Sequence, residues 1–212
     1  MQARQPGESV VETETELIRQ ALEKSLDYPR YRELVASQAR SGRTSGPVQS
    51  ESLIHYTLLN HQRMNRWEKK IELPSPLREE LRSLSEPITW LVLTESWCGD
   101  AAPVLPVMAA FSRAGKNLEL RIAFRDENLP LMDRFLTGGS RAIPKLLEVR
   151  PGDYSVRASW GPRPAEPMRM ADAHKARYGT LSPEFRESLQ RWYNQDRGRA
   201  IIGELASLLG LE

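Results

Sequence analysis

Apolar residues recur every three or four positions through the first third of the chain, which is the spacing of amphipathic helices. This pattern predicts four helices, over residues 10–26, over residues 30–40, from a cap at Ser50 or Ser52 to Ile71, and over residues 77–84. The glycine- and serine-rich run 41–47 predicts a loop. We therefore expect residues 9–85 to form an N-terminal helical extension, preceded by a disordered leader over residues 1–8.

The pattern changes after Pro87. Ile88–Thr94 is a short and nearly all-apolar run, which predicts a strand buried on both faces. Downstream, the pattern predicts strands over residues 118–124, 144–149 and 154–160, and helices over residues 101–114 and 129–136. The remainder, including residues 166–177 and 183–209, is predicted to be mostly helical. The turn signal Pro151-Gly152-Asp153 makes the last two strands a hairpin. Residues 86–212 are thus predicted to form an α/β domain, a central mixed sheet sandwiched by helices, with an extended helical C-terminal part.

Composition limits the partners, the cysteine chemistry and the cellular location that we expect for this domain. Of the 212 residues, 40% are hydrophobic and 27% charged, and the net charge of +2 argues against nucleic-acid and membrane partners. Residues 1–16 lack the apolar centre of a signal peptide. The chain has a single cysteine, so it cannot form an intramolecular disulfide or a multi-cysteine zinc site. Together these features predict a cytoplasmic protein.

The run Ser96-Trp97-Cys98-Gly99-Asp100-Ala101 joins the predicted buried strand to a helix. Pro106 lies eight residues after Cys98, and Pro144 lies 46 residues after it. This arrangement resembles the thioredoxin superfamily over about a third of the chain. Together with the segment Trp-Gly-Pro-Arg-Pro at 160–164, it resembles a bacterial branch of thioredoxin family proteins. The resemblance implies a thioredoxin-like fold, an active-site thiol, and a cis peptide bond before Pro144.

A cysteine at a helix N-terminus faces unpaired N–H groups that favour the thiolate. Such sites lower the cysteine pKa from ~8.5 to roughly 3.5–7.5, so we expect a nucleophilic thiol. Trp97 would shield the sulfur, and the backbone of Ile143 would pair with an extended substrate. The predicted site therefore has Cys98 as the catalytic residue, with substrate-binding residues Trp97, Gly99, Asp100, Ile143 and Pro144.

The chain departs from the thioredoxin pattern at two chemically linked positions. Ala101 stands where thioredoxins carry the resolving cysteine, and Val92 stands where they carry a buried acid that assists it. Asp100 has two opposed effects, because a carboxylate in the first turn stabilises the helix but opposes thiolate formation close to the sulfur.

Three functional hypotheses follow. In the first, the chain is a monothiol thiol-disulfide oxidoreductase that forms mixed disulfides with protein or small-molecule thiols and disulfides. In the second, it is a redox-inactive binding module that holds a protein partner on the Trp97 and Pro144 surface. In the third, only the scaffold remains and the helical additions carry the function.

Other candidate sites have simpler interpretations. His55, His61 and His174 lie far apart without a metal-ligand spacing, so we expect neither a metal nor another cofactor. Asp126 and Glu127 are expected at a solvated strand end. Trp192 and Tyr193 are expected on an amphipathic helix with basic surface positions at Arg191, Arg197 and Arg199.

Overall fold

The computed structural model describes residues 12–211 and places four strands in one mixed sheet. The strands are β1 (Ile88–Thr94), β2 (Leu118–Phe124), β3 (Lys145–Val149) and β4 (Val156–Trp160). Their order across the sheet is β2-β1-β3-β4, with β1 parallel to β2 and β3 antiparallel to both of its neighbours. The leader predicted over residues 1–8 lies outside the described residues.

Helices flank this sheet. Within residues 12–211 they are α1 (Glu14–Lys24), α2 (Tyr28–Ser41), α3 (Glu51–Glu68), α4 (Ser75–Arg82), α5 (Ala101–Ala114), α6 (Leu129–Met132), α7 (Ala165–Tyr178), α8 (Pro183–Asp196) and α9 (Arg199–Leu208). None of the helices in this part of the chain combines the length and the apolar character needed to cross a membrane. The predicted α/β class is confirmed.

Strand β1 is the centre of the core. All seven of its residues are buried, as expected for an inner strand covered on both faces. The ring of Trp90 lies 5.6 Å, between centroids, from Phe111 on α5, and α5 also packs against α3, α4, α9 and β2. The bounds of β1, α5 and β2 are those that the hydrophobic pattern predicts, and Pro106 lies inside α5.

The N-terminal extension is helical, as predicted, and covers the open edge of β2. Helices α1 and α2 both pack against this strand. Between them, Leu26 forms a single antiparallel bridge to Ile122, in which each backbone N–H donates to the other carbonyl oxygen at 2.8 Å. An unpaired strand at the edge of a sheet promotes aggregation. Here the Leu26 bridge and the packing of α1 and α2 cover the edge of β2.

Residues 183–209 are mostly helical, as predicted, and they form two helices because the chain breaks between α8 and α9. Arg197 and Gly198 both adopt left-handed backbone conformations, with φ of 59° and 83°. The φ of Gly198 favours glycine, and a Cβ there would be in ordinary van der Waals contact, 3.4 Å from the ring of Trp67 on α3.

Several helices end before their predicted limits, and α6 and α3 do so by three or more residues. Helix α6 ends at Met132 instead of residue 136, since the N–H of Phe135 bonds to the carbonyl three residues before it and closes a tight turn. Helix α3 ends at Glu68, and the N–H of Ile71 bonds to the carbonyl of Trp67 beyond the helix end. Periodic apolar residues thus continue past the hydrogen-bonded helix in both cases.

Gly161 follows β4 in a position that no other residue fits. Its φ is +110°, and a Cβ there would lie 2.2 Å from the carbonyl oxygen of Pro144. Gly152 has a similar φ of +105° with nothing within 4 Å of its Cβ position. The segment after β4 is therefore packed directly on the segment before β3.

We expect Gly161→Ala to destabilise the protein more than Gly152→Ala. Backbone strain costs on the order of 1–3 kcal/mol in both variants, but only the first adds a collision with Pro144. Urea unfolding of the two variants and the wild type measures the difference. Equal losses of unfolding free energy would show that the Gly161 contact is unimportant.

Candidate functional site

A cleft of about 530 Å³ opens beside the turn that joins β1 to α5. Five of the six predicted site residues line it: Trp97, Cys98, Gly99, Asp100 and Ile143. The sixth, Pro144, is buried, and its carbonyl faces Gly161. The Ile143–Pro144 peptide bond is cis, as the resemblance implies, and so is Gly161–Pro162, which the sequence analysis does not anticipate.

Cys98 lies in the turn after β1, two residues before the helix cap at Asp100. Its side chain is largely shielded, since only 5% of the residue is exposed. The thiol donates a hydrogen bond to the carbonyl oxygen of Ile143, with Sγ and O 3.3 Å apart. The sulfur therefore faces the cis-proline segment, with its proton already engaged.

Burial raises the pKa of the Cys98 thiol to about 12. The Asp100 carboxylate acts in the same direction, while the N–H groups of Ala101 and Asp100 and the Arg163 guanidinium act against it. This result is opposite to the lowered pKa expected from the sequence, because loss of hydration outweighs the helix N-terminus. The thiol is protonated at neutral pH.

Asp100 is held by an ion pair that the sequence analysis does not identify. Arg163 Nη2 lies 2.7 Å from Asp100 Oδ2, and the two side chains are 12% and 13% exposed. Tyr193 donates its hydroxyl to the other oxygen of Asp100 at 3.2 Å. Burial, followed by the charge of Asp100, raises the pKa of the Tyr193 phenol well above its ordinary range, so that the phenol remains a donor.

The sequence pattern connects neither Arg163 nor Tyr193 to the site. Arg163 stands between two prolines in the segment 160–164, and Tyr193 is expected on an amphipathic helix with basic surface positions. The structure instead buries Tyr193 completely, facing Asp100. The unusual Pro-Arg-Pro sequence was the one signal that could have indicated a fixed arginine.

Residues of the N-terminal extension form hydrogen bonds with the turn that joins β1 to α5. The N–H of Ser96 donates to Ser45 Oγ at 2.8 Å, and Asn60 donates its side-chain amide to the Ser96 carbonyl at 3.0 Å. Ser45 also donates its hydroxyl to Glu95. Glu95 is fully buried, and its burial raises its pKa, so this polar cluster is a structural support for the site.

Trp97 is flanked by a second ion pair. The Arg125 guanidinium lies 5.0 Å from the centre of the Trp97 ring and contacts Asp126 at 2.7 Å. The N–H of Asp126 donates to Glu95 at 2.9 Å. The expected solvated strand end is therefore wrong for Asp126, which is half-buried next to the site.

Comparison with known proteins supports the fold. A family model described as Thioredoxin matches residues 46–176. The crystal structure of a protein of unknown function from Pseudomonas aeruginosa is similar, with 18% identity and a TM-score of 0.62 over 94% of this chain and 98% of that chain. An HIV epitope scaffold has 19% identity and a TM-score of 0.54 over 87% of this chain and 98% of its own. No curated protein matches the chain.

We expect Arg163→Met to lower the unfolding free energy by roughly 3 kcal/mol, because it leaves the shielded Asp100 carboxylate without a counter-ion. The double variant Asp100→Asn with Arg163→Met should lose less, since it removes both charges. Urea unfolding of the two single variants, the double variant and the wild type gives the coupling energy. Additive losses would mean that the pair contributes nothing through its charges.

Cys98 should make the protein less stable in alkali. The unfolded chain releases the thiol proton near its ordinary pKa of 9.0, whereas the folded chain retains it to about 12. Between these values the unfolded state is favoured, so stability falls as pH rises. The unfolding free energy of the wild type should therefore drop relative to Cys98→Ala between about pH 8 and pH 10.5. Parallel curves would contradict the raised pKa.

Proposed function

The chain belongs to the thioredoxin family, and from this we propose that it is a binding module that is redox-inactive at Cys98. In this proposal a segment of a protein partner occupies the cleft beside Trp97 and the Ile143–Pro144 segment. Cys98 contributes a protonated thiol to the floor of the cleft.

The state of the thiol carries the proposal. The thiolate is the nucleophile in disulfide exchange, and burial raises the pKa of Cys98 to about 12, so the thiol stays protonated at pH 7. The thiol proton is engaged by Ile143, and the sulfur is largely shielded. Ala101 offers no resolving thiol. Each of these features disfavours redox turnover.

The shape of the cleft supports binding. Its volume of about 530 Å³ is in the range of ligand-binding pockets in proteins. The half-buried indole of Trp97 provides an aromatic surface, and leucine side chains contribute to the walls at Leu53, Leu59, Leu181 and Leu189. An aromatic surface surrounded by apolar and polar groups is typical of an interface anchor point.

Monothiol exchange is the second candidate, because the sulfur lines the cleft and the N–H groups of Asp100 and Ala101 act to stabilise a thiolate. In that reaction the Cys98 thiolate attacks one sulfur of a disulfide. A mixed disulfide forms as the original S–S bond breaks, and the other half leaves as a thiolate. A second, external thiol then attacks the mixed disulfide and regenerates Cys98.

The rate of alkylation by iodoacetamide distinguishes the two candidates. We expect native Cys98 at about pH 7.5 to react roughly 100-fold or more slowly than the same residue in the urea-unfolded chain, because the folded protein disfavours the thiolate. Intact-mass spectrometry measures the reaction, with Cys98→Ser as the control for side reactions. A native rate equal to the unfolded rate, or a mixed disulfide formed rapidly with glutathione disulfide, would favour the monothiol function.

A further inference from the structure

The walls of the cleft are rich in cations. Six basic residues line it: Arg63, Arg125, Arg141, Arg163, Lys175 and Arg186. Three of them already have carboxylate partners, in the pairs Arg125 with Asp126, Arg141 with Asp133, and Arg163 with Asp100, at 2.6–2.7 Å. Of these paired cations, Arg125 directly follows β2, Arg141 lies just before the Ile143–Pro144 segment, and Arg163 lies in the segment after β4.

The other three cations have no carboxylate within 4.0 Å among residues 12–211, and they come from the two helical additions. Arg63 is half-buried on α3, while Lys175 on α7 and Arg186 on α8 are exposed. Burial lowers the pKa of Arg63, and its recorded partner is the Asn60 side-chain oxygen at 3.3 Å. A half-buried cation without a counter-ion is costly unless a ligand supplies one.

The acidic residues of the cleft are already engaged elsewhere. Asp100 accepts from Arg163 and Tyr193, and Glu187 pairs with Arg191 at 3.0 Å on the exposed face of α8. The positive charge of Arg63, Lys175 and Arg186 is therefore not balanced within the cleft.

Arg63 lies close to Gly99 in the turn that carries Cys98. Its Nη1 would be 3.8 Å from a Cβ on Gly99, the residue that follows Cys98. Gln190 donates its side-chain amide to the Gly99 carbonyl at 3.2 Å, and its Nε2 would be 3.9 Å from the same Cβ position. A guanidinium provides two parallel N–H groups that match a carboxylate, which is the geometry suited to this position.

We infer that the cleft recognises an acidic segment of the protein partner, and that a carboxylate of this segment binds Arg63 while Arg186 and Lys175 attract further negative charge. The inference rests on the proposed binding function and names its ligand class. Leucine side chains line the same cleft as the cations, at Leu53, Leu59 and Leu181. This mixture suits a peptide that carries both acidic and apolar side chains better than it suits a bare anion.

Two capped peptides test the inference, one of sequence Leu-Glu-Leu-Glu-Leu and one with Gln in place of Glu. Calorimetry measures binding, and backbone and indole NMR shifts of Gly99 and Trp97 locate it. We expect the Glu peptide to bind at least about 5-fold more tightly than the Gln peptide, and added salt to weaken it. Arg63→Gln should remove most of that difference. Arg113→Gln, an exposed arginine on α5 outside the cleft, should not.

Each other outcome contradicts a stated part of the proposal. Equal binding of both peptides at Gly99 and Trp97 would overturn the acidic recognition and leave the binding function standing. Citrate binding as tightly as the Glu peptide, with the same dependence on Arg63, would assign the cleft to a small anion. No shift with either peptide overturns the acidic segment, and rapid mixed-disulfide formation by Cys98 overturns the binding function itself.

The melting temperature separates recognition from a structural role. Arg63→Gln removes a half-buried charge that has no carboxylate partner in the described structure, so the variant should melt at the same temperature as the wild type or above it. A clear drop would show that Arg63 supports the fold, and weaker peptide binding would then not count as evidence of contact.

Discussion

Asp100 and Arg163 form an ion pair, 2.7 Å apart and almost shielded from water, that joins the turn carrying Cys98 to the segment after β4. Such a pair requires good geometry to offset the lost hydration, and the hydroxyl of Tyr193 completes it. The two charges act on the thiol in opposite directions, so burial determines the pKa of Cys98. Because the Asp100 carboxylate is paired with Arg163, it does not neutralise the other cations of the cleft, Arg63, Lys175 and Arg186.

The helical additions are parts of the site. Helix α3 supplies Asn60, which holds the Ser96 carbonyl, and Arg63, which lies over Gly99. Helix α8 supplies Tyr193 and lies beyond the residues that match the family model. Helices α3, α7 and α8 line the cleft beside the turn after β1, and they carry the three cations without carboxylate partners among residues 12–211.

Local sequence was sufficient wherever one strong physical preference decided the structure. The run 88–94 is so apolar that it must be buried, and it forms the inner strand with the predicted bounds. Prediction failed where contacts between distant residues decided. Asp126 is expected at a solvated strand end, but its N–H donates to the buried Glu95 and its carboxylate pairs with Arg125.

The sequence by itself determined the family, the order of β1, α5 and β2, the turn that carries Cys98, and the absence of a resolving thiol at Ala101. Local spacing and residue type suffice for these features. The tertiary structure alone decided the chemistry of the site. The pKa of Cys98 depends on its burial and on Arg163, which is 65 residues away in the chain. Hydration and charge depend on distances in space, and a linear sequence does not contain those distances.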